Sequence, residues 1–292
     1  MNFFEKIMYF LNNLEMETPN TFGWFHSLWI ILTIGGVVFL YKRKDNYGEK
    51  QLKKVLFVYG ITAFILELLK QITWSFNYDS VTNIITWDYE WYAFPFQLCT
   101  TPIFITLICT FMKDSKIRKS LLSYMAFITI LGSIATIIIP DSCFVSDILI
   151  NMHTMWLHCG SLVVSVYLLM TGEVKLNIKN LANAILVFFM FVGMAELLNI
   201  LVYNSGILKG ETFNMFYISP YFISTLPIFD IIQENVPYLL YLITYLCIII
   251  CGSYIVYFSS LGIKSVYEVI FNRSDAKNVK GIKSKKLLVV NE

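Results

Sequence analysis

Glu67 in "ELLKQITW", Cys99 in "FPFQLCTTPIF" and His158 in "WLHCGSLV" are polar groups set in stretches that otherwise read as hydrocarbon. A thiol near an imidazole can become a nucleophile, because the ring takes the thiol proton and leaves a thiolate. A carboxylate in such a setting is costly unless it is paired or used. Lys70 follows Glu67 by three residues and Asn199 follows Glu196 by three, so each couple shares a helix face. His153 and His158 are five apart, about 140° around a regular helix. His158, with Ser161 and Ser165 on its side, is the one expected to point inward.

The elements that place these groups are membrane helices. The chain is 57% hydrophobic and 14% charged, outside the usual range of soluble proteins. Seven apolar runs are long enough to cross a hydrocarbon layer of about 30 Å. They lie near Phe22–Tyr41, Val55–Phe76, Ala93–Met112, Leu121–Pro140, Asn151–Met170, Ala182–Tyr203 and Val236–Leu261. In lipid each backbone polar group needs an internal partner, so runs of this length are helices. The expected fold class is all-α, a polytopic bundle of seven transmembrane helices.

Of the 22 lysines and arginines, all but Lys6, Lys70 and Lys209 fall in the first, third and fifth connections or after the last span. Positive charge stays inside, which predicts an external N-terminus, a cytoplasmic C-terminus and a multi-pass protein of the cell membrane. Residues 1–21 then form an external tail. Its Phe3, Ile7, Phe10, Leu11 and Leu14 recur at the spacing of a short interfacial helix. Residues 22–263 form the transmembrane domain, including an apolar external loop at 204–235 that reads as a lid. Residues 264–292 form a basic cytoplasmic tail.

Depth ties the polar groups together. At about 1.5 Å per residue from the cytoplasmic ends, Glu67 and His158 lie roughly 18 Å up, Cys99 about 20 Å and Glu196 about 21 Å. Four helices place their polar groups in one layer of the outer half. Pro102 cannot donate to the carbonyl of Leu98, which predicts a loosened helix beside Cys99. Broken backbone at such depth belongs beside protein or a water-filled cavity. The six cysteines form no disulfide framework, and His26, His153, His158 and the cysteines lack the spacing of a metal site, so no metal and no cofactor are expected. The net charge of +2 is accounted for by topology and says little about partners; no nucleic-acid partner is expected.

The segments "FGWFHSLW", "ELLKQITW", "FPFQLCTTPIF", "WLHCGSLV", "ELLNILVYN" and "TFNMFYISP", in this order, resemble the YwaF-like family of bacterial integral membrane proteins. That family is related to eukaryotic transmembrane protein 164. The resemblance spans nearly the whole bundle. It implies a seven-helix membrane protein whose eukaryotic relatives are phospholipid acyltransferases working through a cysteine and a histidine. By position, Cys99 is the implied nucleophile and His158 its partner. Many bacterial relatives read "PLHLC" where this chain reads "PFQLC", and Gln97 cannot act as a base.

Three functions stay open at this level. In acyl transfer, with membrane phospholipids as the expected partners, Cys99 attacks a lipid ester, His158 moves the proton, and Gln97, Thr101 or Asn199 donates to the oxyanion. Glu67, Lys70, Glu196 and Asn214 then shape the cavity, and a variant makes Thr100 or Thr101 the nucleophile of a hydrolase. In a proton-coupled transporter or sensor, Glu67, His158 and Glu196 form a relay. In a structural protein, the polar layer only ties helices together.

Overall fold

The computed structural model describes residues 2–44, 47–140 and 143–289, with side chains as far as 269. The chain is mostly helical, and six of the described helices are long and apolar enough to cross a membrane. In chain order the helices are α1 (Phe3–Asn12), α2 (Trp24–Lys42), α3 (Glu49–Ser75), α4 (Thr101–Phe111) and α5 (Lys116–Ile138). Then come α6 (Ile148–Met170), α7 (Ile178–Asn204), α8 (Phe229–Asn235) and α9 (Tyr238–Val289). The core is apolar and aromatic, with Leu56, Tyr59, Ile103, Tyr124, Phe127, Tyr167 and Phe188 buried along the bundle.

The third expected span differs from the others. An 11-residue helix, α4, follows an irregular segment, where the apolar run suggested continuous helix from Ala93 to Met112. Pro102 is the cause. It stands in the first turn of α4, where its missing N–H costs nothing, so it begins the helix instead of kinking one already under way. Cys99 therefore lies in the turn before the helix.

Two π turns interrupt the inner helices, at Met125–Thr129 of α5 and Trp156–Gly160 of α6. A π turn leaves backbone carbonyls without their usual partners, and in this bundle neighbouring side chains supply them. The Ser165 hydroxyl donates to the Met125 carbonyl at 2.8 Å, and the Tyr59 hydroxyl donates to the Leu157 carbonyl at 3.2 Å. Ser133 and Ser161 bond each other at 2.7 Å.

Contacts sort the connections to two ends of the bundle. At one end Arg118 pairs with Glu49 at 3.1 Å, and the Tyr47 hydroxyl donates to Glu173, so the first, third and fifth connections meet. At the other, Trp91 N–H donates to Glu211 at 2.9 Å, and Met16 N–H donates to the Ser146 carbonyl at 2.7 Å.

Three local structures depart from the sequence reading. An antiparallel hairpin, β1 (Phe76–Asp79) with β2 (Ile84–Trp87), pairs Phe76 with Trp87 and packs on α1 through the Phe4–Phe76 and Tyr9–Tyr78 ring contacts. It adds strand to an expected all-α chain. The last helix runs on through the basic tail to Val289, since no proline follows Pro237 to stop it. The 204–235 segment is drawn into the bundle, with Phe213, Met215, Phe216 and Ile218 fully buried.

Candidate functional site

Cys99 sits in the turn Gln97–Thr100, closed by Thr100 N–H donating to the Gln97 carbonyl at 3.0 Å. The Thr100 hydroxyl accepts from Gln97 N–H at 2.9 Å and donates back to the Gln97 carbonyl at 3.0 Å. Thr101 Oγ1 donates to the Leu98 carbonyl at 2.8 Å and meets the Tyr124 hydroxyl at 3.0 Å. The Cys99 N–H is directed at its own thiol. Among the described residues, the backbone N–H of Leu98, the residue before it, finds no acceptor.

The loop after α7 forms one wall. Gln97 Nε2 donates to the Asn214 carbonyl and its Oε1 accepts from Phe216 N–H, both at 2.8 Å. Asn199 grips the next residue, donating to the Met215 carbonyl at 3.1 Å and accepting from Met215 N–H at 2.7 Å. Asn214 Oδ1 accepts from Ser219 N–H at 2.8 Å. These amides hold Phe216 and Tyr217 at φ 58° and 59°, a left-handed backbone that costs a bulky residue about 1–3 kcal/mol. The side-chain amides of Gln97 and Asn199, expected as oxyanion donors, are thus committed to the loop backbone.

The opposite wall carries charge. Glu67 bridges two partners, with Lys70 Nζ at 2.8 Å from one carboxylate oxygen and His153 Nε2 at 2.7 Å from the other. Gln71 also donates to Glu67 at 2.8 Å and to the Ala93 carbonyl at 2.6 Å, linking the cluster to the segment before Cys99. All three ionisable groups are buried. The Lys70 and Glu67 charges lie within electrostatic reach of the Cys99 thiol.

His153 is the residue sequence reasoning set aside. The π turn begins at Trp156, three residues after His153, so the regular-helix angle between His153 and His158 does not hold across it, and His153 is found on Glu67. No hydrogen bond joins Cys99 to His158. Among the described residues, the His158 ring makes no side-chain hydrogen bond. The His26 ring spends both nitrogens, accepting from Phe22 N–H at 2.9 Å and bonding the Ile137 carbonyl at 2.9 Å.

Glu196 belongs to another network. The Tyr238 hydroxyl lies 2.6 Å from its carboxylate and 3.0 Å from the Ile218 carbonyl, its single proton serving one of the two at a time. The second oxygen of the carboxylate is buried with no partner among the described residues. No group of three or more described His, Cys, Asp or Glu side chains is placed to hold a metal ion.

Among curated proteins and among solved structures, none matches this chain. A family model does match, over residues 21–257, and that range takes in Glu67, Cys99, His153, His158, Gln97, Asn199 and Asn214. With multiple membrane-length helices and a match across most of its length, the chain belongs to the TMEM164 family.

Proposed function

We propose that the chain is an acyltransferase acting on membrane phospholipids, with Cys99 as nucleophile and His158 as its proton acceptor. The observation that carries this reading is the turn itself. It presents a thiol that its own N–H already meets, beside a Leu98 N–H with no acceptor among the described residues, in a segment drawn into a membrane bundle. An unspent donor at that depth is costly unless something else takes it, and a developing oxyanion is such an acceptor. In the first step the Cys99 proton passes to the free His158 ring, and sulfur bonds to an ester carbonyl carbon. The ester C–O bond breaks, and the leaving oxygen takes the proton back from the imidazolium, giving a thioester and a lysolipid. A hydroxyl of a second lipid then takes the acyl group, returning the thiol. Closing Cys99 onto His158 needs a rearrangement, because the pair is not bonded in this conformation.

The same reading takes seven segments across the membrane, α4 with its preceding turn being the third, N-terminus outside and C-terminus in the cytoplasm. Supporting it, the basic first, third and fifth connections share one end of the bundle. It also keeps residues 22–263 as one transmembrane domain in the cell membrane, flanked by the external 1–21 tail and the basic 264–292 tail.

The test is to incubate the full chain with an alkyne-bearing phospholipid and look for a hydroxylamine-sensitive acyl adduct. The adduct is expected on Cys99, absent in Cys99→Ala and formed much more slowly in His158→Ala. Labelling that persists in Cys99→Ala and disappears in Thr101→Val would move the nucleophile to threonine.

A second reading rests on the buried Glu67–Lys70–His153 cluster, which has the composition of a proton site. Proton flux in reconstituted vesicles that is lost in Glu67→Gln, without any lipid turnover, would favour it.

A further inference from the structure

Away from the Cys99 turn, a groove enclosing about 500 Å³ opens between α2, α3 and α6. Bare backbone at two glycines shapes its walls. A Cβ at Gly160 would lie 2.8 Å from the Tyr59 ring, and one at Gly36 would lie 3.2 Å from Val163, so the helices close there and leave a furrow alongside. At one end Trp29 and Trp156 meet edge to face, ring centroids 6.3 Å apart. The other end carries Arg43, Gln51 and Lys54, at the end of the bundle where the basic connections gather.

Among the described residues, neither Arg43 nor Lys54 joins an ion pair. The described carboxylates Glu49 and Glu173 of the adjoining connections are engaged elsewhere, Glu49 with Lys53 and Arg118, and Glu173 with Tyr47. The Arg43 guanidinium lies over the Phe39 ring, 4.3 Å from its centroid, which brings the charge onto the groove wall. From Trp29 to Arg43 the groove follows α2 for fourteen residues, about 21 Å, long enough for a lipid acyl chain. A chain-length apolar furrow that ends in two cations matches the shape and charge of one molecule class. Basic pockets between transmembrane helices take anionic headgroups for this reason.

We propose that this groove binds an anionic glycerophospholipid from the surrounding bilayer. The phosphate sits between Arg43 and Lys54, and one acyl chain lies along Val163 and Tyr59 toward Trp29. The site is independent of the Cys99 chemistry and stands whether or not that reading holds.

The experiment equilibrates the full chain in detergent with equal phosphatidylglycerol and phosphatidylcholine, then counts retained lipid by native mass spectrometry. Wild type is expected to retain phosphatidylglycerol preferentially. The double variant Arg43→Gln with Lys54→Gln loses that preference, by about fivefold for each charge removed. Lys113→Gln with Lys116→Gln, two exposed cations outside the groove lining, leaves it unchanged. Val163→Phe keeps both charges but fills the furrow, and it lowers retention of phosphatidylglycerol. No preference in wild type, equal loss in the control pair, or full retention in Val163→Phe would each overturn the site. So would a dimer that Val163→Phe dissociates without any change in bound lipid, which would make a second copy the occupant.

Discussion

The two walls around the Cys99 turn solve the same problem with opposite chemistry. On the loop side, neutral amides of Gln97 and Asn199 each meet one backbone donor and one backbone acceptor, so every partner is satisfied and no charge is desolvated. On the α3–α6 side, Glu67, Lys70 and His153 are buried as ionisable groups that satisfy one another. Buried ion clusters add little net stability over an apolar replacement, but losing one member leaves the rest uncompensated. The amide clamp is thus a device for holding backbone, whereas the charged cluster carries a cost that packing alone does not require. The charged wall is thus the costlier of the two, and the amide wall is a scaffold for the 213–218 backbone.

The largest effect expected from this contrast is at Glu67. Glu67→Ala should destabilise the chain by about 3–5 kcal/mol, because Lys70 loses its only ion-pair partner among the described residues while remaining buried. Thermal unfolding in detergent reads this directly. Replacing Glu67, Lys70 and His153 together by leucine, methionine and leucine should recover most of that loss. A triple variant as unstable as Glu67→Ala would mean that the cluster is ordinary structural glue, and the contrast between the walls would fail.

Next comes the clamp. Gln97→Leu strands Phe216 N–H and the Asn214 carbonyl, at about 1–3 kcal/mol for each buried group left unmade. Hydrogen exchange should rise across residues 213–218 while the Glu67 contact region stays protected. A sharper form uses Gln97→His. A neutral imidazole offers one donor and one acceptor, as the glutamine amide does. A histidine at this place can therefore hold the same two backbone groups. Exchange in 213–218 for Gln97→His should fall close to wild type. If it matches Gln97→Leu, position 97 does not work through this pairing.

Much of this was legible in the sequence, and the failures have physical causes. The three-residue spacing of Glu67 and Lys70 is a property of any helix, and the pair is found. His153 was set aside because angles were counted at 3.6 residues per turn, and hydropathy carries no mark of a π turn. Pro102 was read as a kink, since the apolar run begins well before it; as a first-turn proline it marks a start. The buried 213–218 loop escaped because its left-handed backbone at Phe216 and Tyr217 is sustained by amides more than a hundred residues away in the case of Gln97. Such long-range pairing leaves no local signal. The short hairpin was missed for the opposite reason, being too brief to stand out beside membrane-length runs.

A steric prediction of intermediate size tests the packing behind the charged wall. Gly160 lies within the π turn, and an added Cβ would meet the Tyr59 ring at 2.8 Å. Tyr59 also holds the Leu157 carbonyl, so the ring has little room to yield. Gly160→Ala should cost about 1–3 kcal/mol in thermal unfolding, the range for overpacking a filled interior. Gly35→Ala, on an open surface of α2, should be neutral or slightly stabilising through helix propensity.

The smallest effect lies outside the bundle, where solvent screens it. Asp79 caps the hairpin turn, accepting from the Thr82 hydroxyl at 2.7 Å and from Val81 N–H at 2.8 Å. These bonds, the Thr82 hydroxyl first, hold its carboxyl below the ordinary value. A carboxyl whose folded pKa is depressed adds stability above its unfolded pKa, near 3.9, and loses it as pH falls through the lower folded value. Glu90, just past β2, runs the other way. Burial first, then the nearby Glu211 and Asp88 charges, raise its pKa, so protonating it favours the folded state as pH falls. Hydrogen exchange of residues 76–87, corrected for intrinsic rate, should therefore stay level from pH 7 to about 5 and rise only below about 4. Asp79→Ala should remove that rise and leave only the shallow opposite slope from Glu90. A rise that survives Asp79→Ala would show that the turn is held by the pairing of β1 with β2 and not by the carboxylate.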